Sequence, residues 1–458
     1  MNWSADPVRL WSAAAIVAVY LVMCVVIWLG VRRQQLHDRA EAAKLVPARD
    51  GAAPILVVFA TQTGYAEELA WHTGKLLHTA GEPVQVLPMR SVDTATLANA
   101  QRALFIVSTY GEGDPPDMAA PFVNRVMQAD PDLPHLQYAV LALGDESYVN
   151  YCGFGRMLDA WLAGRGAKTL FERVEVNSAD AHAITRWHHQ LSHIANLDDM
   201  PVWQAPDWQH WTLQAREQIN TGSSGRPVFH IELQAPAGEA ADWESGDLVQ
   251  VSAPAEPDHP REYSIGSVAA DGRVHLLVRQ ELREDGTLGV ASGWLTHGLA
   301  LAGELKMRLR PHRNFRLEDN IGKPLILIGN GTGLAGLRSH LKARAAAGQK
   351  DNWLVFGERN AAHDYLYRAD IESWRQQGIL ADVDMVFSRD QPEKVYVQDR
   401  LLAKADEVRQ WLARGAAVYV CGSLEGMAGG VDAALRTIAT DDIMDAMAAE
   451  GRYRRDVY

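Results

Sequence analysis

Apolar runs divide the chain into segments of different period. Leu10 to Val31 contains no charged residue and, at a helical rise, is long enough to cross a bilayer. Short apolar runs follow at Ile55 to Phe59, Ala103 to Val107 and Tyr138 to Leu143. They alternate with helical stretches up to about Leu197, as a doubly wound parallel sheet would. From Val228 the pattern changes to short strands separated by Gly and Pro turns: Val228 to Gln234, Leu248 to Ala253, Tyr263 to Val268, Val274 to Arg279 and Glu304 to Arg310. These predict an antiparallel β-barrel. After Pro324 the strand Leu325 to Ile328 opens a second α/β region. The expected organisation is a transmembrane helix (10–31), a charged tether (32–53), a doubly wound α/β domain (54–197), a linker rich in Trp, Pro, Gln, Gly and Ser (198–227), a barrel (228–320) and an α/β domain (321–458).

Composition sharpens this picture in three places. The net charge of −13 argues against nucleic acid as a partner and suits docking to a basic surface. Three widely spaced cysteines give no disulfide framework and no zinc pattern. Arg32, Arg33, Arg39 and Lys44 follow the apolar span, against Arg9 alone before it. That asymmetry predicts a single-pass protein of the inner (cytoplasmic) membrane with its C-terminal domains in the cytoplasm. A cleaved signal peptide is the competing reading, and the span exceeds a usual signal core with no small-residue cleavage pattern before Arg32. His182, His188, His189 and His193 fall on one helix near the end of the first domain; His189 and His193, spaced i, i+4, could ligate a metal but read as a solvated helix face, and no metal site is expected, because no acidic or cysteine partner sits at ligand spacing.

Three loops follow the first domain's apolar strands. Thr61-Gln62-Thr63-Gly64-Tyr65-Ala66 combines two hydroxyls, a flexible glycine and the first amides of a helix, which suits a phosphate monoester, although such a turn can also be a capped helix start. Ser108-Thr109-Tyr110-Gly111 and Leu143-Gly144-Asp145-Glu146-Ser147-Tyr148, with Tyr151 and Cys152 beyond, each place an aromatic near glycine. Ligands of open α/β sheets sit at the carboxyl ends of strands, so a planar ring would lie between Tyr110 and Tyr148. These loops resemble the flavodoxin domain of the diflavin reductases, and the resemblance implies FMN. Tyr151 stands where that family usually carries Phe.

In the barrel, Arg261-Glu262-Tyr263-Ser264-Ile265 puts a cation and an aromatic on one strand face, and Gly289-Val290-Ala291-Ser292 opens a helix with small residues. These look like the FAD motifs of the ferredoxin-NADP reductase family, which implies FAD contacts there and at Leu277 and Val278. Gly331-Thr332-Gly333, continuing to Gly336, lets a pyrophosphate approach a helix N-terminus, as a plain dinucleotide fold would too. Ser388, Arg389, Lys394, Tyr396 and Gln398 supply a guanidinium, an ammonium and hydroxyls for one phosphate. The resemblance places the 2′-phosphate of NADPH among them. Gly336-Leu337 replaces the family's usual Pro-Phe. By the same resemblance Ser264, Cys421 and Asp456 surround the site of hydride transfer, and the terminal Tyr458 covers the FAD ring.

Taken together, the resemblance runs from Pro54 to Tyr458 and lacks only the helical connecting insert of full-length diflavin enzymes. The favoured reading is a membrane-anchored NADPH diflavin oxidoreductase, passing electrons from NADPH through FAD and FMN to a separate membrane-associated acceptor such as a haem or metal-reducing protein. No haem or iron–sulfur ligand spacing occurs in the chain itself. The alternatives are a sulfite reductase flavoprotein component, whose C-terminal run this chain's ending resembles, and a flavin redox sensor without turnover.

Overall fold

The computed structural model describes residues 53–458 apart from 147, 179, 196–206, 237, 239–240 and 284. The span read at 10–31 lies outside the described residues, as does the tether up to residue 52.

The first sheet is parallel. Its strands β1 (Ile55–Ala60), β2 (Val84–Pro88), β3 (Arg102–Ser108) and β4 (Gln137–Gly144) lie in the order β2-β1-β3-β4, and β4 also pairs β5 (Lys168–Thr169) and β6 (Val174–Asn177). Every residue of β1 is buried, as expected of a parallel strand covered on both faces. Helices α1 (Tyr65–Thr79), α2 (Gly153–Gly164) and α3 (Ala181–Ala195) help cover the sheet, and one apolar cluster fills each side. Strand order reverses between β1 and β3, so the loops after those two strands flank the topological switch point, where such sheets take ligands.

The second sheet is antiparallel, in the order β10-β9-β12-β7-β8-β11, built from β7 (Gln209–Gln218), β8 (Val228–Gln234), β9 (Leu248–Ala253), β10 (Glu256–Ser264), β11 (Val274–Arg279) and β12 (Glu304–Arg310). The bridge between Ile265 and Leu276 ties the two edges, so the sheet curls around the core of Trp211, Ile231, Val249 and Val278. Strand β7 falls inside the stretch read as linker. Its polar composition hid it, because only Trp211 and Leu213 alternate into the core.

The third sheet is parallel, ordered β15-β14-β13-β16-β17, from β13 (Leu325–Asn330), β14 (Asn352–Glu358), β15 (Asp382–Phe387), β16 (Ala417–Gly422) and β17 (Tyr453–Val457). Helix α4 (Leu334–Ala346) follows the glycine loop after β13, and α5 (Val397–Ala403) follows β15. Here the order reverses between β13 and β16, and Gly331 and Gly422 close those strands at a second switch point.

Candidate active site

Strand β17 brings the last residues of the chain to the switch point of the third sheet. Cys421 pairs with Asp456 in the register between β16 and β17. The Ser264 hydroxyl at the end of β10 donates to Asp456 Oδ2 at 2.7 Å, and the Cys421 thiol lies 3.6 Å from the same oxygen. Burial, and then the neighbouring Asp456 carboxylate, push the Cys421 thiol well above its usual range, so it stays a neutral donor. Next to this triad, the Tyr458 hydroxyl donates to Thr332 Oγ1 at 3.1 Å while the residue remains 53% exposed. The four residues expected at the hydride-transfer site thus converge from two domains.

The glycine loop is closely packed, most tightly at Gly333. A Cβ at Gly333 would run into the Cys421 carbonyl, and one at Gly336 would sit 3.2 Å from Cys421 Sγ. Gly331, at φ +57°, would press a Cβ to 2.6 Å from Arg279 Nη2. Arg279 ends β11 and pairs with Glu358 at 2.9 Å; burial raises that carboxyl above the usual carboxylate range against the pull of the guanidinium. Sequence reasoning missed this cation over the loop. The only trace it leaves is a charge closing an otherwise apolar strand.

The remaining nucleotide residues are less gathered. Ser388 donates to the Glu358 carbonyl at 3.2 Å, Arg389 and Lys394 are exposed beyond β15, and Tyr396 is exposed at the start of α5. Gln398 Oε1 is buried with no hydrogen-bond partner, an acceptor that suits a ligand hydroxyl or amide. In the barrel, Arg261 and Tyr263 oppose the core valines Val251 and Val249, so they share strand parity as expected. Arg261 approaches Glu256 at 3.9 Å, and Arg283 holds the same carboxylate at 2.6 Å. Ile265, Leu277 and Val278 are core residues, leaving mainly their backbone for a ligand. At Gly289, a Cβ would come within 2.9 Å of Ser292 Oγ, and Ser292 accepts the Glu281 amide at 3.1 Å, so the turn before Val290 is as tight as a diphosphate cradle requires.

The first domain's loops also suit their expected ligand. Gly64, at φ +93°, caps α1 and donates its amide to Thr61 Oγ1 at 2.8 Å. Thr109 Oγ1 is buried without a hydrogen-bond partner, a group that a bound ligand would satisfy. A Cβ at Gly144 would fall 2.7 Å from the Cys152 amide, and Cys152 itself adopts φ +53° with its thiol donating to the Ala142 carbonyl at 3.3 Å. Burial pushes that thiol up to about 11. The Tyr151 ring lies under Arg156, with the guanidinium carbon 5.5 Å from its centroid. Tyr148 is exposed, whereas Tyr110 is half-buried and donates to the Val457 carbonyl at 3.0 Å. Arg455 grips Asp117, with one contact at 2.8 Å, and its carbonyl accepts Gln62 Nε2 at 3.1 Å. Consecutive residues of β17 therefore serve the first domain's loops and the Ser264–Cys421 site.

Among the described residues, His230, Glu232 and His275 bring ligand atoms within 4.8 Å of one another. Tyr367 lies 2.7 Å from His230 Nδ1, Arg273 donates to Glu232 at 2.8 Å, and Arg338 Nη1 is 3.4 Å from His275 Nδ1. A guanidinium can only donate, so the lone pair of His275 Nδ1 faces Arg338. The group forms a polar seam between the barrel and the third sheet's domain. On α3, His189 and His193 are exposed, as is His182, whereas His188 is buried against His72 with ring centroids 5.0 Å apart.

Comparison with known proteins accords with this layout. Residues 57–188 match the Flavodoxin family, and residues 327–433 match the Oxidoreductase NAD-binding domain family. Similar chains include proteins named sulfite reductase [NADPH] flavoprotein alpha-component from Neisseria meningitidis serogroup C (28% identity, 88% of this chain and 89% of the relative) and from Vibrio vulnificus (27%, 92% and 89%). The first alignment spans 542 positions, more than the 458 residues here, so the relative carries segments that this chain lacks. The single-pass inner-membrane placement is not upheld, because the relatives that align along most of this chain are named as a component of sulfite reductase; among the described residues, which do not include 10–31, no helix is long and apolar enough to cross a membrane. The chain thus joins a flavodoxin domain to an oxidoreductase NAD-binding domain, in the order found in the diflavin reductases, and it is similar along most of its length to flavoprotein components of sulfite reductase.

Proposed function

We propose that this chain is an NADPH-dependent flavoprotein reductase that acts as the electron-donating component of a sulfite-reductase-like system, delivering electrons to a separate haemoprotein component. The observation that carries this reading is the meeting of Ser264, Cys421, Asp456 and Tyr458 at the glycine loop, with the flavodoxin-type loops docked against the same strand. The chemistry supplied by the bound flavins is hydride acceptance from NADPH and release of single electrons.

The residues of this chain do the positioning. Gly331 and Gly333 open room for a pyrophosphate at the start of α4, with Arg279 above it. Arg389 and Lys394 offer charge to a 2′-phosphate. Asp456 holds the Ser264 hydroxyl and the Cys421 thiol in fixed orientation, and the thiol stays protonated, so the pocket contains donors but no thiolate to compete for a hydride acceptor. Tyr458 shields the site at one side. Thr61 to Ala66 would hold the FMN phosphate, with Tyr110 and Tyr148 beside its ring.

The anchored reading with a membrane-associated acceptor gives way to the component reading, because the relatives that align along most of this chain are named as a flavoprotein component. Mixing the flavin-loaded protein with NADPH and a sulfite-reducing haemoprotein should give NADPH-dependent sulfite reduction, and ferricyanide should be reduced without that partner. Ferricyanide reduction without sulfite reduction would sink the component reading. Failure of both would favour the redox sensor.

A further inference from the structure

The phosphate loop of the first domain is not finished by its own residues. Glu67 and Glu68 lie in the first turn of α1, and no Lys or Arg occurs between Thr61 and Gly74. Helix amides attract an anion at such an end, but two carboxylates in the same turn oppose it. The compensating charge comes from the barrel. Arg310, the last residue of β12, is only 3% exposed, and its Nη1 has no hydrogen-bond partner. The nearest carboxylate oxygen, on Glu68, is 3.5 Å away, beyond a good charge-assisted bond. Its guanidinium carbon lies 5.2 Å from the centroid of the Tyr65 ring, on the residue that starts α1.

The residues after Arg310 clasp the loop directly. The Pro311 carbonyl lies 3.1 Å from where a Cβ on Gly64 would stand. His312 Nε2 meets the Gln62 carbonyl at 2.8 Å, and Asn314 donates to the Thr61 carbonyl at 3.1 Å. A buried guanidinium with an unsatisfied donor is costly to leave without an acceptor, and the group beside it is a loop shaped for a phosphate.

We propose that Arg310, although it belongs to the barrel, is part of the FMN phosphate site, so that this chain holds FMN tightly only while its first domain is docked on the barrel. The inference rests on reading Thr61 to Ala66 as the phosphate loop. Its chemistry is a charge-assisted contact from a guanidinium to a phosphate monoester, added to the loop's hydroxyls and amides.

The test is flavin binding, read by quenching of flavin fluorescence on the full chain stripped of its flavins, with FMN and with riboflavin, which lacks the phosphate. Arg310→Gln should weaken FMN about tenfold or more and leave riboflavin unchanged, Arg310→Lys should restore part of the loss, and FMN binding by Arg310→Gln should depend less on salt. Equal losses for FMN and riboflavin would mean that Arg310 only packs the two domains together, and unchanged FMN binding would remove it from the site; either overturns the proposal. Thr63→Glu separates the two layers of the argument. If it abolishes FMN binding while Arg310→Gln does nothing, the loop reading stands and the Arg310 proposal falls; if FMN still binds to Thr63→Glu, the loop reading itself fails.

Discussion

The hydroxyl of Ser264 donates to Asp456 Oδ2 at 2.7 Å across 192 positions of sequence. That bond joins the end of a barrel strand to the last strand of the third sheet. On either side of Asp456, Arg455 reaches Asp117 and the carbonyl of Val457 accepts the Tyr110 hydroxyl, both in the flavodoxin domain. Three consecutive residues, Arg455 to Val457, therefore touch both the first domain and the barrel from the third sheet.

Asp456→Asn should disturb this centre more than Ser264→Ala. The carboxylate accepts from both the Ser264 hydroxyl and the Cys421 thiol, whereas the serine makes one of those bonds. On the proposed role of these residues, where charge moves rather than where the nucleotide is gripped, flavin reduction by NADPH in rapid-mixing measurements should slow by about ten- to a hundredfold for Asp456→Asn and less for Ser264→Ala, with little change in NADP affinity. Equal weakening of NADP binding would place Asp456 in the nucleotide site instead.

Acid should destabilise the flavodoxin domain through His188. Burial, with the nearby His72, lowers its folded pKa to about 4, against about 6.5 for a free histidine. The unfolded chain therefore binds the proton first. The stabilising contribution is fully present above pH of about 6.5 and is lost as pH falls towards 4, up to about 3 kcal/mol in all. Thermal melts between those limits should show a falling midpoint in the wild type and a shallower slope in His188→Gln. An unchanged slope would mean that other carboxylates and histidines dominate acid unfolding.

Much of the fold was legible because parallel and barrel strands carry their burial in their own residues. Ile55 to Phe59, Leu248 to Ala253 and Val274 to Arg279 were found where the apolar pattern put them. Strand β7 was not, because Gln209, His210, Thr212 and Gln214 mask the two inward residues Trp211 and Leu213. The candidate site was partly legible: the glycines announce close backbone approach, which the tight surroundings of Gly289 and Gly333 show. Pairings such as Arg455 with Asp117, Arg279 with Glu358 and His312 with the Gln62 carbonyl were not, since each joins residues far apart in sequence whose types are ordinary on their own. The burial of His188 was not legible for a related reason, as the cover over it comes from α1 rather than from its own helix.

Coenzyme choice should depend on Arg389. It is exposed past the end of β15, with its amide donating to the Arg359 carbonyl at 2.9 Å, so its guanidinium is available to a phosphate without disturbing the core. Arg389→Ala should weaken NADPH by about ten- to a hundredfold while leaving NADH nearly unchanged, because only NADPH carries the 2′-phosphate. Steady-state KM values for both coenzymes check this, and parallel losses would reduce the glycine loop to a plain NAD fingerprint.

Tyr458 sets the last expectation, on the proposal that nicotinamide enters where its ring stands beside the glycine loop. Its hydroxyl donates to Thr332 at 3.1 Å, its amide donates to the Gly422 carbonyl at 3.0 Å, and its own carbonyl accepts the Leu424 amide at 2.9 Å. The backbone is thus fixed while the exposed ring is held at its tip by one hydroxyl bond, which makes the side chain the part that can swing away. Displacing it costs any nicotinamide the same amount, and NADPH offsets that cost with its 2′-phosphate contacts. Tyr458→Ala keeps the terminal backbone bonds and removes only the ring. NADH should then gain more than NADPH, narrowing the preference by about tenfold, and release of NADP should slow, lowering turnover with NADPH where release limits it. Steady-state kinetics with both coenzymes, paired with direct measurement of NADP release, decides the matter. A preference that does not move would make Tyr458 an ordinary surface terminus, with the entry to the glycine loop guarded by Thr332 and Arg279 alone.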